Sequence, residues 1–228
     1  LHNNGYYRSD VYAEWNEVDT AIRNDKPDQY RLKVAYHVNT GNLFRIDAVS
    51  YRFTDTTLQR LVMENRDKSF LKKPDPFSKQ KIDDELNRLI DLFRNNGYYR
   101  INRAMMKAQL DTVNAALIDA SADPFEQIRL QVEAQQKRQN PTIDIAILEI
   151  PLKDNSITQS YKVGNVAVFP DEPAELITGI RRGLQRTEYG GYNIYSRYGL
   201  FKPSFLVKRI ALKPGELFRA SDFNKTLL

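Results

Sequence analysis

The motif Asn-Asn-Gly-Tyr-Tyr-Arg occurs twice, at Asn3–Arg8 and Asn95–Arg100, and constrains the architecture more than any other feature. Gly5 and Gly97 lie 97 − 5 = 92 residues apart, and the same offset pairs Asp19-Thr20 with Asp111-Thr112. Self-similarity at a fixed offset marks a chain built from tandem units. Ahead of the second copy, Ile82, Leu86, Leu89 and Phe93 recur at helical spacing, with Asp83, Asp84, Asn87, Arg88 and Asp91 on the other side. Ser78 reads as the N-cap behind Pro74 and Pro76, and Asn96-Gly97 as the left-handed turn that ends the helix. The glycine therefore reverses the chain, and Tyr98-Tyr99 is expected to open an extended segment. Leu1–Gly5 reads as the last turn of an equivalent helix.

Strands follow each copy. Val11, Ala13 and Trp15 alternate with Tyr12, Glu14 and Asn16, and Tyr30, Leu32, Val34, Tyr36 and Val38 alternate with Arg31, Lys33, Ala35 and His37. Period two of this quality predicts a sheet with one buried face. Thr20–Asp28 reads as the hairpin loop between them. Ile101–Leu110 and Thr142–Ile150 take the same parts after the second copy. Between these lies an inserted segment, 114–139, in which Asp123-Pro124-Phe125-Glu126 predicts a helix over about 124–139.

A second correspondence pairs Phe44–Val49 with Tyr161–Val166, at an offset of 161 − 44 = 117 residues. Both segments slip frame, from Phe44 and Ile46 to Val49, and from Tyr161 and Val163 to Val166, which predicts a bulge or edge feature. A short helix is expected after each, one from about Thr54-Asp55 and one from about Asp171. Pro76-Phe77-Ser78 corresponds to Pro214–Phe218, with another helix beginning around Phe223 and Leu227. The expected fold class is α+β, a β-α-α-β-β unit with a three-stranded mixed sheet and two helices on one face. The chain reads as a piece of a longer protein. Residues 1–40 are the tail of one unit, 41–155 a complete unit with a helical insertion near 123–140, and 156–228 the head of a third.

Composition narrows the function. Hydrophobic residues make up 41% and charged residues 28%, an ordinary globular balance. The net charge of +5 is spread along the chain in basic runs no longer than a pair, such as Lys72-Lys73 and Arg181-Arg182, which argues against nucleic acid as a partner. With no cysteine, thiolate catalysis, disulfides and zinc–thiolate sites are excluded. Only His2 and His37 are present, and His37 falls in an alternating strand as an exposed residue. Asp83-Asp84-Glu85 has the look of a metal or acid–base cluster. Adjacent helix positions diverge, however, so it reads as a solvated first turn suited to the helix dipole. No phosphate-binding glycine loop or nucleophile elbow occurs. No catalytic, metal or cofactor-binding residue is assigned, and a binding role is expected rather than an enzymatic one. The Tyr-rich segment 187–202 reads as an insertion that packs on its own unit; base or sugar stacking by its tyrosines is the alternative.

The element order, with Pro76-Phe77 before the second helix and Gly97-Tyr98-Tyr99 after it, resembles the polypeptide-transport-associated (POTRA) domain. Gly5-Tyr6-Tyr7 and Pro214–Phe218 are partial copies of the same pattern. The resemblance implies a periplasmic arm of the outer-membrane assembly superfamily typified by BamA and TamA, in a Gram-negative bacterium, anchored through a C-terminal β-barrel absent from this piece. It implies nascent outer-membrane proteins, and accessory lipoproteins, as partners. It also implies that the strand after Gly-Tyr-Tyr is an available edge, here Arg8–Val18 and Arg100–Leu110. The expected peptide-binding edge is Arg100, Asn102, Ala104, Met106 and Ala108. Two readings of that strand stand: an edge that captures extended polypeptide, or one that completes the fold beneath the inserted helix. A secretion transporter or cell-envelope scaffold carrying POTRA-like modules is the alternative context.

Overall fold

The computed structural model describes residues 1–21, 29–111, 140–151, 155–171 and 183–227. The expected helices at 124–139 and after Asp171, and most of the Thr20–Asp28 loop, lie outside them. The fold is α+β. Strands β1 (Asp10–Ala21) and β2 (Gln29–Asn39) form an antiparallel pair. Strands β3 (Arg45–Arg52), β4 (Met106–Asp111) and β5 (Thr142–Glu149) form a sheet in the order β3-β5-β4. Strands β6 (Val166–Val168), β7 (Gln185–Tyr189) and β8 (Tyr192–Ser196) repeat that order as β6-β8-β7. In this last sheet β6 runs parallel to β8 and β7 antiparallel, so the sheet is mixed.

The helices sit where capping chemistry puts them. Helix α1 (Thr56–Glu64) starts at Asp55, whose carboxylate accepts from Thr57 N and Leu58 N, and it buries Leu58 and Val62. Helix α2 (Lys79–Arg94) ends at the Gly97 turn, where Tyr98 N donates to Phe93 O at 3.1 Å. Two short helices close the chain, α3 (Pro203–Val207) and α4 (Ala220–Leu227).

The chain divides into two compact units, to both of which α2 contributes. The first holds residues 1–51, 68–85 and 108–148. Its core is Phe44, Ile46, Phe77, Ile82, Ile143, Ile145 and Ile147. Glu85 is also there, fully buried, which corrects its reading as part of a solvated first turn. It lies three residues after Ile82 and four before Leu89, on the apolar stripe of α2. Its carboxylate accepts from Tyr51 Oη at 2.7 Å and Phe70 N at 3.0 Å, and Tyr51 Oη also meets Ser69 Oγ at 2.8 Å. A buried carboxyl is tolerated only when its oxygens are hydrogen-bonded, and here those bonds tie the connection after α1 onto α2.

The second unit holds residues 52–67, 86–107 and 149–228. Its core comprises Leu58, Val62, Leu86, Leu89, Phe93, Tyr98, Ile101, Met105 and Met106, with Tyr192 and Ile194 buried on β8. Burial of each such side chain contributes about 1.5–3 kcal/mol. The Tyr-rich segment forms a hairpin as far as Ser196. Gly190 and Gly191, with φ of +59° and +83°, join β7 to β8, and Tyr189 faces Tyr192 across the turn. Tyr192 donates to Leu212 O at 2.8 Å, and Tyr195 stacks on Phe169 at 5.1 Å.

Candidate functional site

The two motif copies build the same joint twice. In the first, Gly5 takes φ +87° and its carbonyl accepts from Phe44 N at 3.0 Å. Phe44 O accepts from Phe77 N at 3.0 Å, and Ile46 N donates to Asp75 O at 2.9 Å. In the second, Gly97 takes φ +94° and its carbonyl accepts from Tyr161 N at 2.8 Å. Tyr161 O accepts from Phe218 N at 2.9 Å, and Val163 N donates to Glu216 O at 2.8 Å. The bridges Arg45–Pro76 and Lys162–Leu217 complete the match. This pairing explains the frame slip: Phe44–Ile46 bond to Asp75–Phe77 and Tyr161–Val163 to Glu216–Phe218, and the sheet strand proper begins at or beyond them.

The paired tyrosines have different tasks. Tyr98 is buried and meets Phe93 edge-on, on its own side of the turn. Tyr99 points across the joint, edge-on to Phe218 at 5.2 Å and to Tyr161 at 6.2 Å. Tyr7 occupies the equivalent position, 5.2 Å from Phe44 and 5.3 Å from Phe77, while Tyr6 is half-buried. Such aromatic contacts contribute about 0.5–1.5 kcal/mol each beyond the area they bury. Burial raises the Tyr7 phenol above its ordinary value.

The asparagines are used as well. Asn95 Oδ1 accepts from Ser221 N at 2.8 Å, at the first turn of α4, and Asn96 Nδ2 donates to Leu92 O. Asp75 accepts from Ile46 N on its main-chain carbonyl in the first joint and from Lys81 Nζ on its carboxylate at 2.6 Å. That hydrogen bond, ahead of the charges of Lys72 and Arg45, holds its carboxyl below the usual aspartate range.

The glycines are required by space as well as by φ. A Cβ on Gly97 would stand 2.6 Å from Leu217 Cδ1, and one on Gly5 would stand 3.1 Å from Phe44 O and 3.2 Å from Phe77 O.

The expected edge strand is shorter than its sequence suggests. Arg100, Asn102 and Ala104 precede β4 and are not part of it. Asn102 Oδ1 accepts from Ala104 N at 3.0 Å and caps a 3-10 turn over Arg103–Met105. Met106 and Ala108 are in β4, Met106 buried and Ala108 half-buried, with Lys107 and Gln109 exposed. Tyr98-Tyr99 likewise open a turn and not a strand, and β1 begins only at Asp10. Arg100 and Asn102 instead line a cleft of about 500 Å³ with Arg94, Tyr99, Phe218 and Phe223. Both β4 and β3 are outer strands of their sheet, but Arg45 and Ile46 at the start of β3 are already paired with Asp75 and Pro76.

His37 is exposed on β2, stacked on Tyr12 at 4.7 Å with Nε2 3.4 Å from Glu14 Oε2. Among the described residues no cluster of acidic, histidine or cysteine side chains has metal-binding geometry, and no helix is long and apolar enough to cross a membrane.

No family model and no curated protein matches the sequence. Among solved structures, the chain is similar to POTRA domains 3–5 of Haemophilus influenzae BamA, at 14% identity and a TM-score of 0.39. That match covers 98% of this chain and 61% of the other. It is similar also to POTRA domains 1–3 of the periplasmic domain of Omp85 from Anabaena, at 14% identity and a TM-score of 0.24. There the coverage is 96% of this chain and 62% of the other, so the chain spans less than two thirds of either relative.

Proposed function

We propose that this chain is the periplasmic POTRA region of an outer-membrane protein assembly factor, and that β4 receives unfolded outer-membrane proteins as an added strand. The observation that carries this reading is the position of β4: an outer strand, following the Gly97 joint, whose fellow outer strand is paired at its start. An exposed edge offers unpaired N–H and C=O groups at the spacing of an incoming strand, so affinity comes from main-chain hydrogen bonds and tolerates many sequences. At about 1 kcal/mol net per hydrogen bond, a strand of this length gives weak, reversible capture. Residues 1–40, 41–155 and 156–228 are then the tail of one module, a complete module and the head of a third. Accessory lipoproteins bind the same arm, and a β-barrel tethers it to the outer membrane.

Photo-crosslinking probes at Lys107 and Gln109 test the reading with an unfolded barrel protein as the target and a probe at exposed Arg60 on α1 as the control. Adducts at the two β4 positions above the control are expected. Equal yields at all three, or none, would mean that β4 only completes the fold.

A further inference from the structure

The segment from Arg197 to Lys213 contains Arg197, Lys202, Lys208, Arg209 and Lys213 and no acidic residue. Its first six residues, Arg197–Lys202, are all exposed, and they include Tyr198 and Leu200, which are 70% and 69% accessible. This run is held from below by its backbone. Asp171 Oδ2 accepts from Arg197 N at 3.1 Å and Tyr198 N at 2.9 Å, and Gly199 N donates to Ser196 Oγ at 3.1 Å. The turn therefore presents side chains outward in a fixed frame.

The α3 turn that follows continues the same surface. Lys202 is the extended residue ahead of α3, and Phe201, Lys202, Phe205, Lys208 and Arg209 are all exposed, whereas Leu206, Val207 and Ile210 are half-buried. Val207 packs toward the Gly190 turn, so α3 is seated on the hairpin by its inner face. Arg209 lies over the Phe205 ring at 5.5 Å. Asp171 lies against the Arg197–Tyr198 backbone and Lys213 pairs with Glu216 at 3.7 Å, but exposed Tyr198, Leu200, Phe201 and Phe205 interleaved with Lys202, Lys208 and Arg209 do not fit a merely solvated surface.

We propose that this surface docks on an anionic lipid bilayer. Phenyl and phenol rings and a leucine enter the headgroup boundary, and the lysines and arginines meet lipid phosphates around them. Charge complementarity selects the occupant: every charged residue from Arg197 to Lys213 is basic, and the segment pairs cations with insertable apolar groups, which a purely acidic polymer would leave unused. The inference is independent of the β4 edge.

Sedimentation of the 228-residue chain with vesicles tests it, using phosphatidylcholine alone and phosphatidylcholine with about a third phosphatidylglycerol. Binding to the anionic vesicles only, weakening with salt, is expected. Lys202→Gln/Lys208→Gln/Arg209→Gln should weaken it about a hundredfold, and Leu200→Ser/Phe201→Ser/Phe205→Ser about tenfold or more. Because all six side chains are exposed, both variants should keep the parent's circular dichroism and melting transition. Full retention of binding by either variant overturns the proposal, as does polyglutamate displacing the vesicles equally from the parent and the serine variant.

Discussion

Glu85 carries the clearest lesson at the scale of single residues. Its place on the apolar stripe of α2 follows from spacing alone, since Ile82, Glu85 and Leu89 fall one turn apart. Its acidic neighbours Asp83 and Asp84 suggest a solvated face, but they point elsewhere. Replacing Glu85 by Ala strands the Phe70 N–H and removes one partner of Tyr51, so a loss of about 2–4 kcal/mol is expected in urea unfolding. Glu85→Gln keeps an acceptor and should lose markedly less; equal losses would mean that packing and not hydrogen bonding is at stake. Asp75 behaves differently, because it is open to water. Its carboxyl is depressed chiefly by Lys81, so its contribution is fully present above the ordinary aspartate value and is lost as pH falls through the lowered one. Lys81→Met should move the Asp75 midpoint back up in an NMR titration, with only a small effect on stability because solvent and salt screen the pair.

Among the elements, the joint is the unit that the sequence marks and the backbone explains. Gly97→Ala forces a β-carbon into the Leu217 side chain at a left-handed φ, and a destabilisation of about 1–3 kcal/mol is expected. Tyr99→Ala acts differently: Tyr99 is itself 57% exposed, so its loss should leave the β5 amides protected while hydrogen exchange speeds at Tyr161, Val163 and Phe218. Uniform acceleration across the chain would instead make Tyr99 part of a single cooperative core. Both helices α1 and α2, and the repeat itself, are legible from spacing and caps. The start of β4 is not, because the Asn102 side chain competes with the ladder and turns the backbone into a 3-10 turn. The β7–β8 hairpin had a signal, Gly190-Gly191 between alternating residues, masked by the abundance of tyrosine around it. That Tyr7 and Tyr99 reach across to Phe44, Phe77, Tyr161 and Phe218 could not be read from one chain, because those contacts join segments tens of residues apart.

Across the whole molecule, the repeat implies that equivalent strands have equivalent surroundings, and one pair does not. The β1-β2 register sets Val11 opposite Val38, Ala13 opposite Tyr36 and Trp15 opposite Val34, all on one face. That face is exposed, with Trp15 68% and Tyr36 71% accessible, whereas Ile143, Ile145 and Ile147 of β5 are buried. An isolated two-stranded pair is marginal in water and gains stability by covering such a face. In the module reading, its cover is the strand and two helices that belong ahead of residues 1–40. Trp15 is the single tryptophan, so its fluorescence reports on this face alone. In the 228-residue chain it should emit as a water-exposed indole and be quenched readily by acrylamide. In a longer natural chain carrying a strand and two helices before residue 1, the emission should shift to the blue and quenching should fall several-fold, while thermal unfolding of β1-β2 becomes cooperative. Unchanged emission in that longer chain would remove residues 1–40 from the module series and leave the hairpin as a separate apolar surface.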